Sequence, residues 1–337
     1  SIVKNRRRAG RNQCILGERG LSEVICKLSL DEITERDLYS PSFLPDLKKL
    51  ENSIKEIGLI HPLILRKKKD KLQLVCGLKR LMVLESLKIK ETKVEIFREH
   101  ELSPKEAIKM AVGHNLSQMN LIEKAKSVEK LIHYGISEEE VIKKWLPLLG
   151  MGAKREIYNT LMKLIHLPQR VMGYIAKKEL NLSDASLFLL FTPDELENLM
   201  PFIESLMPSA SHLKEILISF RDLTLREKLS LNQLLRQIEP ILQNLFSPKE
   251  KLEALRNWLK KHRFPYLYQL ETSFQNLIKN LNLSPLLSHP LTFESEEFFL
   301  TLKFKNKKEL TILIEKLHHI AEKLKTMPND PFEISNY

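Results

Sequence analysis

The sequence predicts a multidomain protein: an α/β N-terminal module, an all-α middle holding a helix-turn-helix, and a small α+β C-terminal unit. Three observations lead there. Short apolar runs alternate with helical spacing and glycine stops as far as residue 102. From Ser103 onward the apolar period is that of helices alone. Near the C-terminal end an alternating run, Phe298 to Phe304, precedes one more amphipathic helix.

Composition bounds the function. The 337 residues carry 54 Lys and Arg against 43 Asp and Glu, a net charge of +11, and 43% are hydrophobic. Such a chain folds around cores of its own and favours polyanionic partners, nucleic acid first and an acidic membrane surface second. The three cysteines, Cys14, Cys26 and Cys76, form no C-x-x-C pair. Neither a disulfide framework nor a zinc knuckle is indicated, which fits a reducing cytoplasm. Every apolar run is shorter than the roughly 18 residues of a membrane span, so no membrane partner is expected. No apolar core follows the basic N-terminus, so it does not read as a signal peptide.

Residues 1–20 hold Arg6, Arg7 and Arg8 among few apolar residues and read as a flexible basic arm that contacts DNA. The α/β module covers 21–102. Val24–Leu28 suits a strand; Leu47, Leu50, Ile54 and Ile57 mark a helix that Gly58 ends. Leu63–Leu65 and Leu72–Val75 flank the Lys67-Lys68-Lys69-Asp70 hairpin, Arg80–Leu87 reads as a helix, and Lys93–Phe97 as a strand.

The helical region covers 103–205. Ser103-Pro104-Lys105-Glu106 starts a helix, and another follows near Leu121–Tyr134 up to Gly135. Ser137-Glu138-Glu139-Glu140 is a capping box, and Gly150-Met151-Gly152 then separates its helix from one beginning near Ala153. Ile157, Leu161 and Leu164 would face inward there, leaving Lys154, Arg155, Asn159 and Lys163 for DNA. After Leu167-Pro168 helices run to about residue 282, jointed by prolines at 193, 201, 208, 240, 248 and 265, and residues 206–284 read as a helical extension. Within 285–327, Leu291–Phe293 and Phe298–Phe304 read as strands and Lys307–Lys325 as a helix, and 328–337 is a tail.

Gly77 followed by Lys79 and Arg80 at the mouth of a helix reads as an anion site, since N-terminal N–H groups point outward. His114 and Asn115 are candidates to complete that pocket. Full P-loop and nucleophile-elbow patterns are absent, and the ten histidines are scattered, the one adjacent pair, His318-His319, pointing in different directions. Cys76, at a strand end, reads as a buried structural thiol. No catalytic residue and no metal ligand is assigned.

The order S-I-K-E-I-G-L-I-H-P-L-I-L-R, then L-Q-L-V, then G-L-K-R resembles the ParB family of chromosome and plasmid partition proteins, as do H-N-L-S-Q and N-L-I-E-K-A further on. The resemblance runs over roughly residues 24–200. It implies a ParB/sulfiredoxin-like N-terminal fold followed by a helix-turn-helix. In that family the glycine turn and the following helix hold a cytidine triphosphate and magnesium, and binding closes a DNA clamp. Here Leu78, Met82, Val83, His114 and Gln118 replace the family's residues, while Gly77, Lys79, Arg80 and Asn115 match. The pocket therefore reads as degenerate. The same fold is similar to sulfiredoxin, but Cys76 precedes the glycine and is misplaced for that chemistry.

The expected function is that of a ParB-like DNA-binding protein in partition or a related DNA-organising or regulatory role, in the cytoplasm on the nucleoid. The alternative is a clamp that binds and hydrolyses CTP, or another nucleotide-dependent enzyme on the ParB scaffold. The resemblance implies DNA, a partition ATPase and a second copy of the chain as partners.

Overall fold

The computed structural model describes residues 15–16, 24–116, 119–243, 247–284, 286–289 and 297–327. The chain divides into two compact units, Ser1–Met200 and Pro201–Tyr337. Arg6, Arg7 and Arg8 lie outside the described residues.

The first unit begins with a five-stranded sheet built from β1 (Ile15–Leu16), β2 (Val24–Ser29), β3 (Leu63–Lys68), β4 (Lys71–Cys76) and β5 (Glu91–Arg98). Their order is β1-β2-β5-β3-β4. β3 and β5 run parallel and the other neighbours antiparallel. The segment read as a flexible arm thus contributes a short strand, Ile15–Leu16, paired with Val24 and Ile25. Helices α1 (Lys48–Ile57) and α2 (Leu78–Ser86) close one apolar core with the sheet, centred on Ile54, Leu63, Leu65, Leu74, Leu81, Leu84 and Val94. Ile57 departs from its expected inward stripe. It is exposed, because Gly58 (φ +72) turns the chain away one residue later.

Side chains alternate along β3, so Arg66 points to the face opposite Leu63 and Leu65. It is 2% exposed and is the largest fully buried side chain of the described residues. Its Nε donates to the carbonyl of Leu102 at 2.7 Å and its Nη1 to Gln73 Oε1, also at 2.7 Å. Gln73 is its cross-strand partner on β4. The Gln73 amide then donates to Glu35, and Tyr39 donates its hydroxyl to the same Gln73 oxygen at 3.2 Å. The bonds from Lys71, then Gln73, hold the Glu35 carboxyl below its ordinary pKa.

Helices follow: α3 (Pro104–Gly113), α4 (Leu121–His133), α5 (Glu138–Glu140), a π-turn at Val141–Trp145 leading into α6 (Leu146–Leu148), α7 (Arg155–Leu164), α8 (Gln169–Lys177), α9 (Leu182–Ser186) and α10 (Pro193–Leu206). Ser103 caps α3 in a full capping box with Glu106. At Ser137 the box is only half made. Its hydroxyl accepts the N–H of Glu140, but the Glu140 carboxylate turns instead to Lys109 of α3, 3.0 Å away.

The second unit contains α11 (Ala210–Glu227), α12 (Leu231–Gln243), α13 (Pro248–Arg263), α14 (Pro265–Asn280), a minimal hairpin of β6 (Leu287–Ser288) and β7 (Phe299–Leu300), and α15 (Lys307–Lys325). Leu270, Phe274 and Ile278 of α14 share a core with Phe298 and with Leu317, Ile320 and Leu324 of α15. Not every proline is a joint. Pro193, Pro248 and Pro265 open helices, whereas Pro201 and Pro240 sit inside α10 and α12. In α12 four buried side chains, Leu231, Leu234, Ile238 and Leu242, each bring about 1.5–3 kcal/mol of burial. Together they outweigh the ~3 kcal/mol cost of an interior proline. Among the described residues the expected strand Phe298–Phe304 is paired at Phe299–Leu300, opposite Leu287 and Ser288, and the N–H of Thr301 adds a bond to the Leu286 carbonyl at 2.8 Å. The strand expected at 291–293 lies outside the described residues.

Replacing Arg66 with Met leaves the carbonyl of Leu102 without its donor inside the fold. We expect a loss of about 2–4 kcal/mol in urea unfolding. Lys71→Ala, which removes an exposed ion pair to Glu35, should lose under about 1 kcal/mol. Equal losses would remove the central role given to Arg66.

Candidate functional site

The glycine turn is built as the sequence predicts, but its cations are turned inward. Gly77 caps α2 with φ +108, a left-handed conformation that side chains resist. A Cβ there would lie 2.7 Å from Leu63 Cδ2. Packing against β3 therefore accounts for the glycine without a ligand. Arg80 Nη1 donates to the carbonyls of His61 at 2.7 Å and Pro62 at 2.8 Å, clamping α2 to the loop ahead of β3. Burial lowers the Arg80 pKa from its ordinary value. Cys76, one residue before the turn, is buried, and burial pushes its thiol up to about 12. That environment favours an inert thiol.

Lys79 meets Glu123 of α4 at 3.1 Å, with the lysine side chain 20% and the glutamate 3% exposed. Sequence reasoning placed Glu123 in the N-L-I-E-K-A motif without giving it a task. The signal was there: Asn120 and Glu123 stand at capping-box spacing, and both halves of that box are made. Glu123 has further partners because it accepts the N–H of Phe43 at 3.2 Å as well as that of Asn120 at 3.1 Å. Asn120 in turn donates to the Phe43 carbonyl at 3.3 Å. Lys130, lower on α4, donates to the carbonyls of Asp37 and Leu38. One helix thus grips both the loop after β2 and the first turn of α2.

His114 ends α3 and is exposed, and Asn115 donates to the Ala111 carbonyl of its own helix at 2.8 Å. Among the described residues no hydrogen bond or ion pair joins either to Gly77, Lys79 or Arg80. Gln118 lies outside the described residues. As arranged, these residues do not present free cations to a triphosphate. No group of three or more His, Cys, Asp or Glu among the described residues could hold a metal ion.

The helix-turn-helix is well formed. After α6 the N–H of Met151 bonds the Leu146 carbonyl and that of Gly150 the Pro147 carbonyl, both at 2.9 Å, with Gly150 at φ +72. This double closure is the Schellman arrangement, and it sets the sharp turn before the second helix. That helix starts at Arg155, with Lys154 as its cap rather than inside it, two residues later than the expected start near Ala153. α7 packs on α4, burying Leu161 and Leu164, with Ile157 half-buried. Lys154, Arg155, Asn159 and Lys163 are all exposed. Arg155 is not free, however, since its guanidinium bonds the Glu138 carboxylate across the turn.

No helix among the described residues is long and apolar enough to cross a membrane. Residues 17–116 match the family model of the ParB N-terminal domain. The chain is similar to the chromosome-partitioning protein Spo0J of Thermus thermophilus, with 26% identity covering 44% of this chain and 53% of that protein. It is also similar to the chromosome-partitioning protein ParB of Myxococcus xanthus, with 27% identity over 54% and 61%. A crystal structure of truncated ParB from Caulobacter crescentus, complexed to the centromeric parS site, aligns at 18% identity with a TM-score of 0.33. It covers 56% of this chain and 97% of that one, a likeness too loose to bear on function. The chain spans between about half and two thirds of the length of the curated relatives it matches.

Coupling across the Lys79–Glu123 pair can be measured with a double-mutant cycle in urea. Glu123→Ala strands an ammonium and two N–H groups and should lose about 3–5 kcal/mol. Lys79→Ala and the double variant should give a coupling of at least ~1 kcal/mol. Simple additivity would dissolve the proposed tie between α2 and α4.

Proposed function

The chain belongs to the ParB-like partition family through its N-terminal domain at residues 17–116, and from that premise we propose that it is a DNA-binding protein of chromosome or plasmid partition. One observation carries the reading. Immediately after that domain stands a helix-turn-helix whose second helix keeps Lys154, Asn159 and Lys163 in solvent while burying Leu161 and Leu164. Such a helix can enter the major groove, its asparagine reading a base edge and its lysines meeting phosphates. The basic residues Arg6, Arg7 and Arg8 would add salt-dependent affinity. Arg155 takes a positioning part, fixing the start of α7 to Glu138.

The nucleotide-driven clamp is the weaker reading, because Lys79 and Arg80 both have partners inside the fold. We further infer that the chain works as a homodimer, with a partition ATPase as its other protein partner. The pairing surface takes in Phe299, Leu300 and Phe304 with Ile312 and Ile314, which stand two positions apart on α15 and so flank the helix rather than share one side of it. All five are about half exposed, an unusual density of solvated apolar side chains.

Lys154→Ala with Lys163→Ala should weaken duplex binding tenfold or more and reduce the salt slope by about 2. The exposed pair Lys177 and Lys178 serves as control, and equal losses at both pairs would sink the recognition-helix assignment. Arg155→Ala should weaken binding less than Lys154→Ala. In calorimetry with magnesium, neither CTP nor ATP should bind in the micromolar range. Micromolar CTP binding that Arg80→Ala abolishes would instead establish the clamp. Ile312→Glu with Ile314→Glu should convert a dimer to a monomer in sedimentation, and a wild-type monomer would refute the pairing.

A further inference from the structure

In the second unit, the ends of α11 and α13 meet at a corner that the DNA-binding reading leaves unused. Arg226 of α11 donates to the carbonyl of Arg263 at 2.7 Å and to that of His262, capping the last turn of α13. Arg263 returns an ion pair to Asp222 at 2.5 Å, and its guanidinium lies 4.8 Å from the centroid of the Phe264 ring. Asp222, Leu225, Arg226, Arg263 and Phe264 line an open cleft of about 490 Å³. Phe264 is 46% exposed, and Leu225 and Tyr266 are each 63% exposed. Lys228 and Lys261, on the two helix ends that form the corner, are exposed, and their side chains make no ion pair or hydrogen bond among the described residues. The local sequence is K-K-H-R-F-P-Y, cations running straight into aromatic rings.

We propose that this corner binds single-stranded nucleic acid. A base stacks on the open face of Phe264, opposite the Arg263 guanidinium that lies over the other face and is held in place by Asp222. Tyr266 offers a second ring, and Lys228 and Lys261 meet the flanking phosphates. The combination is what strand binding uses: π-faces that accept any base and cations that follow the backbone. An acidic peptide would satisfy the lysines equally. It has no flat π-surface to match an exposed ring with a guanidinium beside it, and an open cleft gives its side chains little enclosure. The site is separate in sequence from Lys154–Lys163 and does not depend on their role.

The test is fluorescence anisotropy of the full chain with a labelled 20-residue oligothymidine strand. Phe264→Leu keeps the apolar bulk and removes the π-face; combined with Tyr266→Ala it should weaken strand binding on the order of tenfold. Duplex affinity and the circular dichroism spectrum should stay unchanged. Lys228→Ala with Lys261→Ala should lower the salt slope of strand binding by about 1.4. Lys154→Ala with Lys163→Ala should leave strand binding intact, which separates this site from the duplex reading. Wild-type strand affinity in the Phe264/Tyr266 variant would overturn the proposal. So would displacement of the strand by a glutamate-rich peptide with the same efficiency in wild type and in Phe264→Leu.

Discussion

A carboxylate taken out of water needs partners on every side, and the first unit is organised around that need at Glu123. Its two oxygens are met by the N–H groups of Phe43 and Asn120 and by the ammonium of Lys79. These three partners come from a loop, a helix cap and a neighbouring helix. Removing any one leaves charge or polarity stranded in a dry setting, so the three elements hold one another in place. The position of α4 follows from this arrangement. Since α7 packs on α4, the pose of the candidate recognition helix follows as well.

Cations on the sheet side serve the same end. Arg66 satisfies a carbonyl and an amide inside the sheet, Arg80 satisfies two loop carbonyls, and Lys79 satisfies Glu123. Each is basic for an internal reason. The net charge of +11 thus does not say which cations a polyanion would touch; those are the ones left in solvent, as at Lys154 and Lys163. Counting charges along a sequence cannot make this distinction, because the partner of each is set by tertiary packing.

That limit also marks where the sequence was legible. Periodicity located β2, β4, β5, α1, α2, α4 and α7 to within about two residues, helped by local punctuation at Gly58, Gly135 and Gly150 in left-handed turns and Ser103 as a side-chain cap, whereas β1 fell in the segment read as an arm and β3 runs on to Lys68, past the expected Leu65. The all-helical turn to either side of Gly150 was equally readable. Three things were not. The internal engagement of Lys79 depends on Glu123, 44 positions away. The Phe298–Phe304 run has strand alternation, yet among the described residues only Phe299 and Leu300 form a strand. Prolines 201 and 240 look like breaks, yet buried neighbours carry α12 through the second of them. In each case the tertiary setting overrode a sound local signal.

The Arg80 clamp bears on how the first unit transmits movement. Its guanidinium joins α2 to the His61–Pro62 peptide, and Gly77 is wedged against Leu63 a few ångströms away. Helix, turn and strand start therefore behave as one riveted plate. That plate meets α4 through the Lys79–Glu123 pair, where a flexible four-carbon stem reaches a fixed carboxylate. The tie between the two helices thus runs through side chains, with backbone-to-backbone bracing confined to each side of it.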